Sequence, residues 1–545
     1  EHAATIDRIH NHGTWMVAAV GMIGYALNDK NLVDVALYGT KKDKKSGFVR
    51  QMDFLFSPDG YYTEGAYYAR YAIMPFVLFA QAIENNQPEL QIFEYRNQIL
   101  KKALSSALQL TDVSGRYIPI NDALKEMSIL SPESVLATDV TFQRYGGDKG
   151  LLGIAQKQGS VSLDGAGLSV ARALQGGKVP FEFPYESVEF TDGARGDEGG
   201  IGILRSGPVS DQSMLVMKYT AQGMGHGHYD RLGILFYDHG KEILQDYGSA
   251  RFINVEPKYG GRYLPENDTW AKQTIAHNTV TVDGKSHYSG VYKIAQQNHA
   301  DRHFFAASDP DLQVMSGKAE GVYKDVSMQR TVAMVRDNTM PNPVIIDVFR
   351  IASKSEHQYD LPFYYMGHLV FTNVPYRACD SVRTKLGSSN GYQHLWKEAE
   401  GKAAGSSIVT WLNGGRYYSL VNASDSSTEV LFTRVGASDP NFNLRNEPAV
   451  ILRRNASSTV FATVLESHGS FDPVEEISFG ASGKVKEVKV LASTTEATVI
   501  EINGTGSLRW TFAVVNGEAS TEAMHSATVG GKTFSWKGNY WLWKE

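Results

Sequence analysis

Gly176-Gly177-Lys178-Val179-Pro180-Phe181-Glu182-Phe183-Pro184 separates two textures of sequence, and the change across it decides the fold class. Its prolines lack the backbone N–H that a helix interior or a central strand needs, and paired glycines suit neither, so the segment reads as a linker. Upstream, from Thr14 to about Gly159, apolar residues recur at helical spacing, as in Trp15-Met16-Val17-Ala18-Ala19-Val20 and Tyr71-Ala72-Ile73-Met74-Pro75-Phe76-Val77-Leu78-Phe79. Breaks at Ser57-Pro58-Asp59-Gly60, Asn85-Asn86-Gln87-Pro88 and Gly146-Gly147 divide this region into antiparallel helices joined by short loops. Downstream, short alternating strands such as Ser213-Met214-Leu215-Val216-Met217-Lys218-Tyr219, Leu232-Gly233-Ile234-Leu235-Phe236-Tyr237 and Asn278-Thr279-Val280-Thr281-Val282 are punctuated by Gly, Asn and Asp turns. That β region is too long for one compact sandwich. The expected architecture is α+β and multidomain: a helical region over 1–165, a central β-sandwich over 185–400 and a smaller C-terminal β-sheet domain over 401–545.

Bulk properties narrow the function classes. The chain has 545 residues, 42% hydrophobic and 21% charged, which suits a folded protein of two to four units. A net charge of −6 gives no polybasic footprint for nucleic acid, so a polyanionic ligand would need a local basic pocket. With Cys379 alone, neither an intramolecular disulfide framework nor a thiolate zinc site can form. No apolar run is long enough to span a membrane, and no targeting signal lies within the numbering, which starts at Glu1.

Four clusters could carry chemistry: His10-Asn11-His12-Gly13, Tyr67-Tyr68-Ala69-Arg70-Tyr71, Gly225-His226-Gly227-His228-Tyr229-Asp230-Arg231 and Gly261-Arg262-Tyr263. A helix beginning near Thr63 would put Tyr68 and Tyr71 on one face, where core packing is the plain alternative to a site. His226 and His228 stand two apart, so on a strand both would point to the same side, with glycines leaving open space. Asp246 is expected to end the strand Glu242-Ile243-Leu244-Gln245-Asp246, and His277 to begin the one that follows it. Two imidazoles and a carboxylate suit tetrahedral zinc, although the spacing matches no short zinc motif and satisfied polar residues would read the same way.

The segments Asn11-His12-Gly13, Tyr61-Tyr62-Thr63-Glu64-Gly65-Ala66-Tyr67-Tyr68-Ala69-Arg70-Tyr71, Gly225-to-Arg231, Leu244-Gln245-Asp246-Tyr247-Gly248 and Ala276-His277-Asn278-Thr279-Val280 resemble polysaccharide lyase family 17, of the heparinase II/III-like group. The resemblance spans the chain in motif order. It implies an incomplete (α/α) toroid followed by antiparallel β-sandwich domains, and exo-acting β-elimination on oligoalginate that releases an unsaturated monouronate. By this resemblance Tyr68 is the proton-transfer tyrosine, His12 the second proton-transfer residue, and Asn11 and His226 the donors that neutralise the uronate carboxylate. Arg70, Tyr71, Arg251 and Tyr263 match substrate contacts, and His228, Asp246 and His277 match the ligands of a structural zinc that does not activate water. The resemblance also implies alginate oligosaccharides as partners and a bacterial periplasmic or secreted location, and it is compatible with a homodimer. Residues before 160 supply about half of such a toroid, so further helices are expected upstream of this numbering. Rival readings are a lyase of the same group acting on heparan-like or other uronate polymers, and a non-catalytic carbohydrate-binding protein on the same scaffold.

Overall fold

A computed structural model describes residues 2–177, 179–250, 263–379, 382–437 and 444–545. They form two compact units, one of Glu1–Glu186, Phe190–Ile201 and Thr220–Gly227, the other of Ser187–Glu189, Gly202–Tyr219 and His228–Glu545.

The first unit is helical: α1 (His2–Ile6), α2 (Asn11–Leu27), α3 (Lys30–Tyr38), α4 (Phe48–Leu55), α5 (Ala66–Asn86), α6 (Tyr95–Gln109), α7 (Pro132–Arg144), α8 (Lys149–Gln158) and α9 (Gly165–Gln175). Side chains that accept from first-turn N–H groups start several of them, with Asp29, Ser131, Asp148 and Asp164 in the capping position. Asp164 also carries the helical region past the expected limit of 165, because it caps a further helix. A methyl group on Gly21 would lie 2.0 Å from the Phe79 ring, so this glycine lets α2 and α5 approach closely. The Phe79 ring packs edge-on to Phe48 at 4.7 Å, and Val17, Met52, Phe76 and Ile83 complete a buried core around them. α5 begins at Ala66, later than Thr63, because Gly65 at its cap has a φ of 95° that breaks the helix there.

The second unit is antiparallel β. Strands β1 (Ser213–Lys218), β2 (Gly233–Asp238) and β3 (Lys241–Leu244) pair in sequence. An eight-stranded and a seven-stranded sheet follow. The eight-stranded sheet holds Leu312–Tyr323, Val326–Val335, Val344–Ser353 and Thr459–His468, with Ile346 opposite both Ala333 and Val464. One of its faces, with Met328, Val332, Phe349 and Ile351, packs on Leu361, Phe363, Val450 and Leu452 of the seven-stranded sheet. Its other face, with Ile346, Val348 and Val464, packs on Ile500, Ile502, Trp510 and Phe512 of a four-stranded C-terminal sheet made of Val485–Ser493, Ala497–Gly504, Arg509–Val515 and Tyr540–Lys544. The boundary expected between 400 and 401 therefore falls inside a strand, Leu395–Lys402. Strands through His468 still belong to the two large sheets, Thr459–His468 pairing with Val344–Ser353 and Pro448–Ala456 with His357–Tyr364, and the four-stranded sheet begins at Val485. Among the described residues, no helix is long and apolar enough to cross a membrane.

Candidate active site

Within the helical unit, three stretches distant in sequence bring polar side chains to one place. The first is the start of α2, where His10 is the cap residue: its Nδ1 accepts the His12 N–H at 3.3 Å, and Asn11 and His12 occupy the first turn. Asn11 is buried, and its side-chain oxygen takes no hydrogen bond among the described residues. His12 is exposed, its ring edge-on to His10 at 5.2 Å. The second stretch is the start of α5, where Tyr68 lies half-buried and edge-on to Tyr67 at 4.9 Å.

Thr220–Gly227 is the third, and it carries His226. The His226 ring stacks on Tyr68 with centroids 3.7 Å apart and planes 17° from parallel. The chain turns sharply after it, because a methyl group on Gly227 would lie 1.1 Å from the Gln222 carbonyl oxygen. Met224–His226 form a helical turn and not a strand, so His226 and His228 do not share a strand face as expected. They belong to different units.

Two buried carboxylates border these rings. Asp122 Oδ2 lies 3.2 Å from His226 Nδ1, and the Asp122 N–H donates to the His226 carbonyl at 3.0 Å. Glu64 Oε1 lies 3.3 Å from His10 Nε2 and 3.9 Å from His226 Nε2, while Tyr62 donates to Glu64 Oε2 at 3.1 Å. Neighbouring Tyr67 has its phenol pushed up by burial, with Arg70 working the other way. The arrangement sets a phenol against imidazoles, with the Asn11 amide next in sequence to His10, groups able to bind an anion and move a proton.

Residues 1–115 match the family model for alginate lyase, and residues 190–521 that for the heparinase II/III-like C-terminal region. The chain is 42% identical over 544 residues to an exo-oligoalginate lyase of Saccharophagus degradans, covering 99% of this chain and 73% of that protein. It is also 42% identical over 536 residues to an alginate lyase of Stenotrophomonas maltophilia, covering 98% and 71%. The chain belongs to the alginate lyase family. Among solved structures, a heparinase III superposes on this lyase with a TM-score of 0.60 at 13% identity, over 98% of this chain and 65% of that one. The heparan sulfate lyase HepC of Pedobacter heparinus does so with a TM-score of 0.56 at 13% identity, over 97% and 66%. The lyase thus spans just under two thirds of those structures, and at such identities they establish its fold alone: a helical N-terminal part followed by β-sandwich domains.

The structure gathers Asn11, His12, Tyr68 and His226 in the helical unit of the lyase. Arg70 is buried, with Nη1 2.9 Å from Glu133 and its guanidinium 5.0 Å from the Tyr67 ring centre. Tyr71 packs on Trp15 at 5.3 Å. Tyr263 is an exposed residue of the β unit, and Arg251 lies outside the described residues. Also in the β unit, His228, Asp246 and His277 are buried with candidate ligand atoms all within 4.8 Å of one another. Asp246 follows β3 by two residues, and His277 ends a short helical turn, Thr274–Ala276, so loops and not strand ends present them. His277 Nδ1 and Asp246 Oδ2 are 2.9 Å apart, and His277 Nε2 has no hydrogen-bond partner among the described residues. Burial works to raise the Asp246 carboxyl, but His277 and His228 outweigh it and hold it below the ordinary range; Asp246 in turn raises His277 against the effect of burial.

Glu64, Asp122 and the role of His10 were not found by sequence reasoning. His10 shares a motif with Asn11 and His12 and could have been singled out. Asp122 carries no such signal, being 104 residues from the histidine it touches.

Proposed function

We propose that this chain is an exo-acting oligoalginate lyase, releasing unsaturated monouronate by β-elimination. The observation that carries the reading is the Tyr68–His226 stack with Asn11 buried in the same unit, supported by the names of the two relatives at 42% identity. Elimination requires that the C6 carboxylate be neutralised, the C5 proton removed and the C4 oxygen protonated as it leaves. Asn11 and His226 supply the donors that make the C5 proton acidic and hold the enolate-like charge. Tyr68 takes the C5 proton, and where that proton and the C4 oxygen are syn, as in mannuronate, it also protonates the oxygen. For guluronate they are anti, and His12 serves the opposite face. The remaining proposed contacts are Tyr71, Arg251 and Tyr263, with alginate oligosaccharides as the partner, while Arg70 is engaged by Glu133.

His228, Asp246 and His277 fit zinc: two imidazoles and a carboxylate, all buried, with one ring nitrogen unpartnered. Bound there, the ion would cross-link the β unit and take no part in proton transfer. We further propose a periplasmic or secreted location, to be checked by fractionation, with light scattering to decide between monomer and homodimer.

A time course on alginate trimer through pentamer tests the central reading. Steady appearance of a monouronate product with oligomers one unit shorter is the expected result, with a slow fall in viscosity on polymer. Early dimers and trimers from long chains would overturn the exo assignment. Elimination on heparan sulfate in place of alginate would move the enzyme to the rival lyase class, and binding without ultraviolet-absorbing product would make it a binding protein.

A further inference from the structure

We propose that Glu64 and Asp122 are positioning residues for the elimination, Asp122 clamping His226 by ring and backbone and Glu64 fixing His10 and the open edge of His226. The inference rests on the reading of Tyr68 and His226 as reacting groups.

Three observations support it. His226 lies on the short excursion Thr220–Gly227, with no regular element longer than one turn to fix its ring. Asp122 grips it twice, through Oδ2 to Nδ1 at 3.2 Å and through its own N–H to the His226 carbonyl at 3.0 Å. Such a double contact fixes both where the residue sits and how its ring is turned. At the ring's other nitrogen, 3.9 Å away, stands Glu64, held in turn by the Tyr62 hydroxyl. Glu64 also faces His10 Nε2 at 3.3 Å. Because His10 Nδ1 accepts the His12 N–H, the neutral His10 ring carries its proton on Nε2, which is the nitrogen turned to Glu64. One carboxylate thereby steadies both the His226 ring and the cap residue that orders Asn11 and His12. Glu64 and Asp122 are fully buried, where a carboxylate without such contacts would be costly.

The test uses Asp122→Asn, Glu64→Gln and the milder Tyr62→Phe in the full chain, each assayed on alginate trimer. Loss of positioning should lower kcat by about 10- to 100-fold for the two carboxylate variants, with KM within about twofold, and Tyr62→Phe should fall in the same direction by less. A second readout does not depend on the substrate. The His226 ring proton signals, observed by NMR in protein carrying 13C-labelled histidine and assigned through His226→Asn, should be shifted upfield by the stacked Tyr68 ring. They should move toward ordinary histidine positions in Asp122→Asn. Folded variants with unchanged kcat, or an unchanged His226 signal, would overturn the proposal; if a carboxylate variant does not fold, Tyr62→Phe decides by the same two measurements. Should the wild-type chain eliminate no uronate at all, the functional reading fails, while the ring signal still decides whether Asp122 holds His226.

Discussion

Tyr68 is the residue on which the chemistry turns. Its ring is held by the stack on His226, so removing the hydroxyl alone should leave the fold and oligosaccharide binding in place. Tyr68→Phe is expected to lower kcat by about 10²–10⁴-fold with an unchanged melting temperature, since proton transfer by a placed side chain contributes that much. Near-normal turnover would remove the assignment. Arg70 is a different case. It was expected to hold a sugar carboxylate, yet its guanidinium pairs with Glu133 at 2.9 Å, the two side chains being 7% and 20% exposed. Arg70→Ala would strand Glu133 and should cost about 2–4 kcal/mol, less than for a fully buried pair, measured by denaturant unfolding. Unchanged stability with a raised KM would instead mean that Arg70 serves substrate first.

Among the elements, the loop before α5 and the Thr220–Gly227 excursion meet at one buried carboxyl. Asp192 accepts from the Gly193 N–H at 2.7 Å and the Ala221 N–H at 3.1 Å. Burial pushes its carboxyl up to about 7, partly opposed by these donors and by the Thr63 side chain. Its folded-state value thus exceeds the unfolded one of about 4, so the associated stability is complete below about pH 4 and is lost as pH rises through about 7. Asp192→Asn cannot titrate, and its melting temperature should gain on wild type across that window; parallel pH profiles would refute this. The helices themselves were legible because their apolar residues repeat at a fixed period. Less legible was the start of α5, set by the backbone of Gly65, and least legible was the His226 segment, where Gly227 turns the chain against Gln222 in a way no period records.

At the scale of the whole molecule, the change from helix to sheet could be read from the apolar spacing on either side of the linker, whereas the return of residues 407–468 to the central sheets could not. Thr459–His468 pairs with Val344–Ser353 and Pro448–Ala456 with His357–Tyr364, and pairing at such a distance leaves no local mark. The buried cluster of His228, Asp246 and His277 supports one more expectation. Dialysis against a strong chelator should remove one zinc per chain and lower the melting temperature, with zinc restoring it. Metal analysis that finds none in protein prepared without chelators would refute the assignment.

The discontinuous make-up of the helical unit has a consequence for synthesis on the ribosome. A nascent chain that has emerged only as far as Glu186 has α1 to α9 but neither Phe190–Ile201 nor Thr220–Gly227, so the carboxylate of Asp122 has no imidazole to meet. Because the strand Ser213–Lys218 emerges before His226 does, growth of the sheet and closure of the helical unit overlap in time and do not follow one another. A truncation placed in the proline-rich linker, where sequence alone would put a domain border, would therefore release an unfinished half.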